Sequence, residues 1–144
     1  MDTSIYRTQP CPHCGAFTNR GTSVDMIIMQ GDQILLGKRK AEPFKGSWGI
    51  FGGFIEWDEK PEDAVIRETK EESGLDVISM KLLGVYGDPH RHPRQVITLA
   101  YKVEVKGEAK AGDDIEEIKW VNKDAIPKDL AFDHNTILKD YLAA

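Results

Sequence analysis

The stretch from Gly53 to Leu75 constrains this 144-residue chain more than any other, because it sets a run of glutamates between a helix start and a helix stop. Pro61 suits a first helical turn, where a missing N–H costs nothing, and Glu62 and Asp63 complement the positive end of the helix dipole. Gly74 supplies the C-terminal stop. Within the predicted helix, Glu68, Glu71 and Glu72 stand at i, i+3 and i+4, so three carboxylates share one face. Val65, Ile66 and Thr69 fall on a neighbouring stripe expected to face a core. Like charges at that spacing destabilise a helix by roughly 0.2–0.5 kcal/mol per pair. A divalent cation removes the repulsion, and oxygen-only donors suit Mg²⁺ or Mn²⁺ rather than zinc. The glutamates alone leave a second reading open, a solvated acidic face.

With its flanking glycines, the stretch resembles the Nudix box, G-x5-E-x7-R-E-U-x-E-E-x-G-U, where U is apolar. Here it reads Gly53, Glu59, Arg67, Glu68, Thr69, Glu71, Glu72, Gly74 and Leu75, and eight of the nine specified positions match. Thr69 departs from the usual aliphatic residue, although its methyl can still pack. The resemblance implies an α/β chain folded as an α/β/α sandwich with a mixed curved sheet. It also implies metal-dependent hydrolysis of a nucleoside diphosphate linked to another group. On the same ground Glu68 and Glu72 are the principal ligands of Mg²⁺ or Mn²⁺, with more than one ion per site, and Glu71 is a ligand or a water-positioning base. Glu56 resembles a supporting metal position, and Glu59 with Arg67 resembles a brace between loop and helix. Gly52 and Gly53 let the backbone approach a metal-bound pyrophosphate, and the Gly53 carbonyl is a candidate hard-cation ligand; a strand bend needs the same glycines. Phe51 stands where the family commonly has proline. Family members often bring a late carboxylate to the site as base or extra ligand; Glu116 and Asp114 are the candidates, and spacing does not separate them.

A second segment narrows the resemblance. Asp88-Pro89, Arg91, Pro93 and Arg94 match the S-D-P-x-R-D-P-R loop of the ADP-ribose pyrophosphatase branch, while Gly87 and His92 depart from it. Leu130-Ala-Phe-Asp-His134 before a final helix is similar to the same branch. The implied substrate is ADP-ribose, giving AMP and ribose 5-phosphate. Arg91 and Arg94 either contact a phosphate or hold the loop through carboxylates. His90 and His92 read as surface loop residues, Asp133 as an N-cap, and Phe132 as a staple or core residue. Alternatives within the family are an oxidised nucleoside triphosphate, NADH or a sugar nucleotide as substrate, and a non-catalytic ADP-ribose sensor.

The remaining chain reads as strands and turns. Val24–Met29 and Ile34–Leu36 flank a polar turn and suggest a hairpin. Trp48–Gly53 is a predicted strand, as are residues 76–86, 95–105 and 116–121, and residues 135–142 carry helical spacing. Lys38-Arg39-Lys40 is either a solvated edge or a cationic patch near substrate phosphates.

A net charge of −5 and a pI near 5.4 argue against nucleic-acid or membrane partners, and no run has the length of a membrane span. The expectation is a cytoplasmic protein acting on a small nucleotide, with a homodimer anticipated from the family. Cys11-Pro-His-Cys14 resembles one zinc-ribbon knuckle, but no second pair completes four ligands. A metal-free turn is favoured there over Zn²⁺ at Cys11 and Cys14. The resemblance to the Nudix family covers residues 22–144 and leaves residues 1–21 as an N-terminal arm.

Overall fold

The structure, a computed structural model, describes residues 13–15 and 19–144. The hairpin expected from two apolar runs is present as β1 (Thr22–Gln30) and β2 (Gln33–Arg39), turning at Gly31, whose φ is +60°. Then follow β3 (Trp48–Gly49), β4 (Phe51–Phe54), α1 (Pro61–Ser73), β5 (Asp76–Tyr86), β6 (Ile97–Lys106), β7 (Ile115–Asn122) and α2 (His134–Ala143). The strands form one seven-stranded sheet in the order β3-β2-β1-β6-β5, with β4 beside β1 and β7 beside β2. Only the β1–β6 pair is parallel, so the sheet is mixed.

Strand alternation divides the core between two helices. Val24, Met26 and Ile28 of β1 join Phe51, Ala64, Val65 and Leu75 in the cluster beneath α1. Ile27 points the other way, into the cluster of Leu36, Ile50, Leu130, Ile137 and Leu138 beneath α2. The result is an α/β/α arrangement. The same alternation sends Asp25, polar and buried, toward α2, where it meets His134.

Trp48–Gly53 is two strands rather than one. Trp48 and Gly49 pair with β2, whereas Phe51–Phe54 pairs with β1. At the break Ile50 loses a strand partner, and its N–H donates instead to His134 Nδ1 at 3.2 Å. Phe51, at the usual proline position, fills the core; a Cβ on Gly37 would come within 2.9 Å of its ring.

Two local expectations are corrected. Ile66 is 48% exposed, and the buried stripe of α1 is Ala64, Val65, Thr69 and Ser73. The stripe that packs on the sheet runs from Ala64 and Val65 through Thr69 to Ser73, and leaves Ile66 beside it in solvent. Asp133 does occupy the N-cap of α2, but its side chain makes no capping bond. Both its carboxylate oxygens accept from Arg91.

Candidate active site

α1 opens with Pro61 at its first turn and closes at Gly74, whose φ of +72° is the left-handed stop. Its arginine, Arg67, holds the preceding loop to the helix. Nε and Nη2 donate to the two oxygens of Glu59 at 2.7 and 2.9 Å, Nη2 also donates to the Phe54 carbonyl, and Nη1 donates to Glu68 at 2.8 Å and Glu71 at 3.2 Å. The bidentate pair, with the Glu56 N–H, pulls the Glu59 carboxyl down to about 2.

A cavity of about 430 Å³ opens where β4, α1 and the β1–β2 layer meet. Glu56, Glu68 and Glu72 line it together with Gly52 and Gly53. Both glycines are required by close approach. A Cβ at Gly53 would collide with the Glu68 carboxyl, and one at Gly52 with Asp25 and, at 2.8 Å, with the Val24 carbonyl. Glu72 accepts from the Gly52 N–H, while its Oε2 is buried without a hydrogen-bond partner. Burial, reinforced by Glu68, Asp25 and Asp114, pushes its pKa up to about 8. Burial also raises Glu68, against the pull of Arg67.

These oxygens fit a hard cation. An orphaned buried carboxylate oxygen beside a second raised carboxylate is the arrangement that bound positive charge relieves. Among the described residues no three acidic, histidine or cysteine side chains form a closed cage. An open site matches Mg²⁺ or Mn²⁺, which keep waters and take substrate phosphates beside one or two carboxylates.

The other sequence candidates separate. Glu71 is exposed and lies outside the cavity lining, bonded to Arg67. Asp114 lines the cavity and Glu116 does not. Arg39 and Lys40 line it, whereas Lys38 does not. Arg94 is exposed and outside. Arg91 reaches the cavity wall, but its guanidinium is buried and engaged. Nε and Nη2 donate to Asp133, both at 2.9 Å, Nη1 to the Val96 carbonyl at 3.0 Å, and Nη2 to Asp25 at 3.4 Å. Four of five N–H donors are thus used. Cys11 lies outside the described residues, so a zinc site with Cys14 does too.

Sequence reading passed over Asp25 and His134 as site residues, took His92 for a surface loop residue and Phe132 for a staple or core residue, and all four line the cavity. A lone aspartate inside the apolar run Val24–Met29 was the available signal for the first. His134 is fully buried, and burial and the Arg91 charge push its pKa down to about 3, so the ring is neutral. Because Nδ1 accepts from Ile50, Nε2 carries the proton, 3.7 Å from Asp25. Burial raises Asp25 to about 7, against the opposing Arg91 charge.

Residues 19–141 match the NUDIX domain family. The chain is 47% identical over 128 residues to the ADP-ribose pyrophosphatase of Methanocaldococcus jannaschii, covering 88% of this chain and 75% of that enzyme. It superposes on the NUDIX domain of Shewanella oneidensis NrtR complexed with ADP ribose, with a TM-score of 0.80 and 25% identity over 99% of this chain and 98% of the other. It also resembles a bifunctional NMN adenylyltransferase/ADP ribose pyrophosphatase from Francisella tularensis, complexed with AMP and a Mn ion. That match has a TM-score of 0.74 and 27% identity, over 88% of this chain and 42% of the other.

Proposed function

Because the chain belongs to the Nudix family and is a pyrophosphohydrolase of that family, we propose that it hydrolyses ADP-ribose to AMP and ribose 5-phosphate with Mg²⁺ held by Glu68 and Glu72. The observation that carries the reading is Glu72, whose Oε2 is buried and unpaired at a cavity that Glu56 and Glu68 also line. When bound there, divalent cations screen the pyrophosphate charge and make water a stronger nucleophile.

The chain's own residues divide the remaining work. Arg67 fixes the position of Glu68 and holds Glu71 beside the cavity, while Glu59 locks Arg67 from the loop side. The Gly52–Gly53 backbone admits the diphosphate, and the Gly53 carbonyl and Glu56 supplement the donor set. Arg39 and Lys40 supply positive charge to the substrate phosphates. Asp114, not Glu116, is the late carboxylate in reach to accept a proton from water. Arg91 positions its loop rather than binding phosphate, and Arg94 has no place in the site. Residues 22–144 are the catalytic domain, acting in the cytoplasm; the exposed Ile78, Leu82 and Val85 on edge strand β5 favour a homodimer.

The test is kcat/KM with Mg²⁺ for ADP-ribose, NADH, a sugar nucleotide and an oxidised nucleoside triphosphate, in parallel with Glu72→Gln. ADP-ribose should lead by at least tenfold, about 1.4 kcal/mol of transition-state preference. Glu72→Gln should lower kcat by roughly 10²–10³-fold, the scale of losing one transition-state charge contact, without lowering Tm. A different leading substrate overturns the ADP-ribose assignment, and near-normal turnover by Glu72→Gln overturns the metal assignment.

A further inference from the structure

The end of α1 is closed by a distant part of the chain, and that part leads straight to the cavity. A helix leaves its last four carbonyls without intrahelical partners. In α1 the Lys70 carbonyl accepts from the Gly74 N–H at 2.9 Å, the usual left-handed stop. The carbonyls of Ser73 and Glu72 accept instead from the Lys110 and Gly112 N–H groups, at 2.8 and 2.9 Å. The loop between β6 and β7 therefore lies along the last turn of the helix that carries Glu68 and Glu72.

Gly112 is the point of closest approach. A Cβ there would collide with the Glu71 carbonyl and come within 3.0 Å of the Glu72 Cα, both backbone atoms that cannot turn aside. Its φ lies outside the left-handed region, so proximity to the helix, and not conformation, requires glycine. The same residue opens the turn that follows. Its carbonyl accepts from the Ile115 N–H at 3.1 Å, with Asp113 and Asp114 at the corner. A single residue thus joins the backbone of Glu72 to the turn that brings Asp114 to the cavity. From the other wall, Lys40 Nζ donates to the Asp113 carbonyl at 3.2 Å. Ala109 and Ile115, on either side of the contact, pack against the cluster beneath α1. Helix capping alone needs only a donor for each carbonyl. It does not need a backbone pressed so close that only glycine fits.

We propose that Gly112 is a positioning residue for the hydrolysis: it registers the β6–β7 loop on α1 and so fixes Asp114 in place relative to Glu72. The proposal deepens the hydrolytic reading and rests on it, since there Asp114 accepts a proton from water and Glu72 helps to hold the cation. A proton acceptor works only within hydrogen-bond reach, about 2.6–3.2 Å between heavy atoms. A carboxylate carried on a loop meets that limit only where the loop is tied to the rest of the site. Misplacement by about 1 Å costs on the order of 10²-fold in rate.

Amide hydrogen exchange in chelator and kinetics on ADP-ribose in Mg²⁺ test it together. In the wild type the Lys110 and Gly112 amides should be protected. Gly112→Ala should speed exchange at Lys110 by about tenfold or more, and lower kcat by about 10²-fold with KM within about twofold. Asp114→Asn should also lower kcat by about 10²-fold, and the double variant should be no slower than about threefold below it. Gly107→Ala is the control. Its φ of +106° strains the same loop five residues before the contact, so Tm should fall while kcat stays unchanged. Should Gly112→Ala fail to fold, Lys110→Pro removes the other tether, and should speed exchange at Gly112 and lower kcat by about threefold or more. The proposal is overturned if Lys110 exchanges freely in the wild type, or if Gly112→Ala keeps kcat within about twofold. It is overturned equally if the Gly112 and Asp114 losses multiply in the double variant, or if Gly107→Ala loses as much kcat as Gly112→Ala. Normal turnover by Asp114→Asn overturns it together with the role of Asp114, while wild-type hydrolysis of ADP-ribose keeps the function. Should another nucleotide be the better substrate, the ADP-ribose reading falls, and the same variants assayed on that nucleotide decide the positioning role.

Discussion

Two arginines gather carboxylates in this molecule, and they do so over different reaches of chain. Arg67 binds Glu59, Glu68 and Glu71, at sequence separations of eight, one and four. Arg91 binds Asp133 and Asp25, at separations of 42 and 66. The first side chain is 23% exposed and lies on α1 beside the cavity, which its partner Glu68 lines. The second is 4% exposed and ties β1, the loop before β6 and the start of α2 into one unit. Similar chemistry thus serves two ends: a local clamp arranges the carboxylates proposed to hold the metal, and a buried clamp holds the walls around them.

The comparison breaks or holds on paired alanine substitutions, followed by urea unfolding and by turnover. Arg91→Ala leaves Asp25 and Asp133 facing each other in a buried site without compensation, and should lose about 3–5 kcal/mol of stability. Arg67→Ala should lose less, about 1–2 kcal/mol, since Arg67 is itself 23% exposed and its partner Glu71 58%. Its kcat should nonetheless fall further than that of folded Arg91→Ala, because Glu68 loses its fixed place. An Arg91→Ala protein as stable as Arg67→Ala would show that the buried clamp contributes little.

The buried clamp can be sharpened by pH, because it encloses two groups shifted in opposite senses. His134 falls from 6.5 to about 3 and Asp25 rises from 3.8 to about 7. Between about pH 4 and 6.5 the folded pair holds one proton, on Asp25, and the unfolded pair also holds one, on the histidine. Their contributions to the slope therefore cancel. Removing one partner exposes the other. His134→Gln leaves Asp25, whose folded state binds the extra proton, so stability should fall as pH rises from about 4 to 7. Asp25→Asn leaves His134, whose unfolded state binds the extra proton, so stability should fall as pH drops from about 6.5 toward 3. Each slope should approach about 1.4 kcal/mol per pH unit. Urea midpoints in chelator, taken across this range, check it. Slopes of the same sign in the two variants would mean that the groups do not share a proton.

What could be read from the sequence follows the same division by range. The α1 unit was legible because its glycines, proline, glutamates and arginine lie within 23 residues, and helical spacing turns that order directly into a face. The strands were legible from apolar runs, apart from the break at Ile50, which depends on a histidine 84 residues away. Asp133 read as a cap because capping is a local rule, yet its carboxylate turned to a cation that no local rule supplies. Arg91 and Arg94 looked alike in their loop, and only packing separates a buried tie from an exposed neighbour. Asp114 and Glu116 differ in the same way: Asp114 stands just before β7 at the cavity, and Glu116 lies on the strand and away from it.

The smallest expected effect tests the one position where the box departs from its pattern. Thr69 is fully buried on the inner face of α1, and its hydroxyl has no hydrogen-bond partner. Its methyl packs as an aliphatic residue would, so the departure adds only an unsatisfied polar atom to an otherwise local and legible unit. Thr69→Val replaces that hydroxyl with a methyl of similar shape. It should stabilise the protein by about 1 kcal/mol, raising Tm by roughly 2–4 °C for a domain of this size. Helix propensity does not oppose the change, because both residues are β-branched and nearly equal in that respect. Turnover should stay unchanged, since Thr69 does not line the cavity. A lowered Tm with unchanged turnover would mean that the hydroxyl is satisfied by ordered water, and that even this local unit holds a partner its sequence does not name.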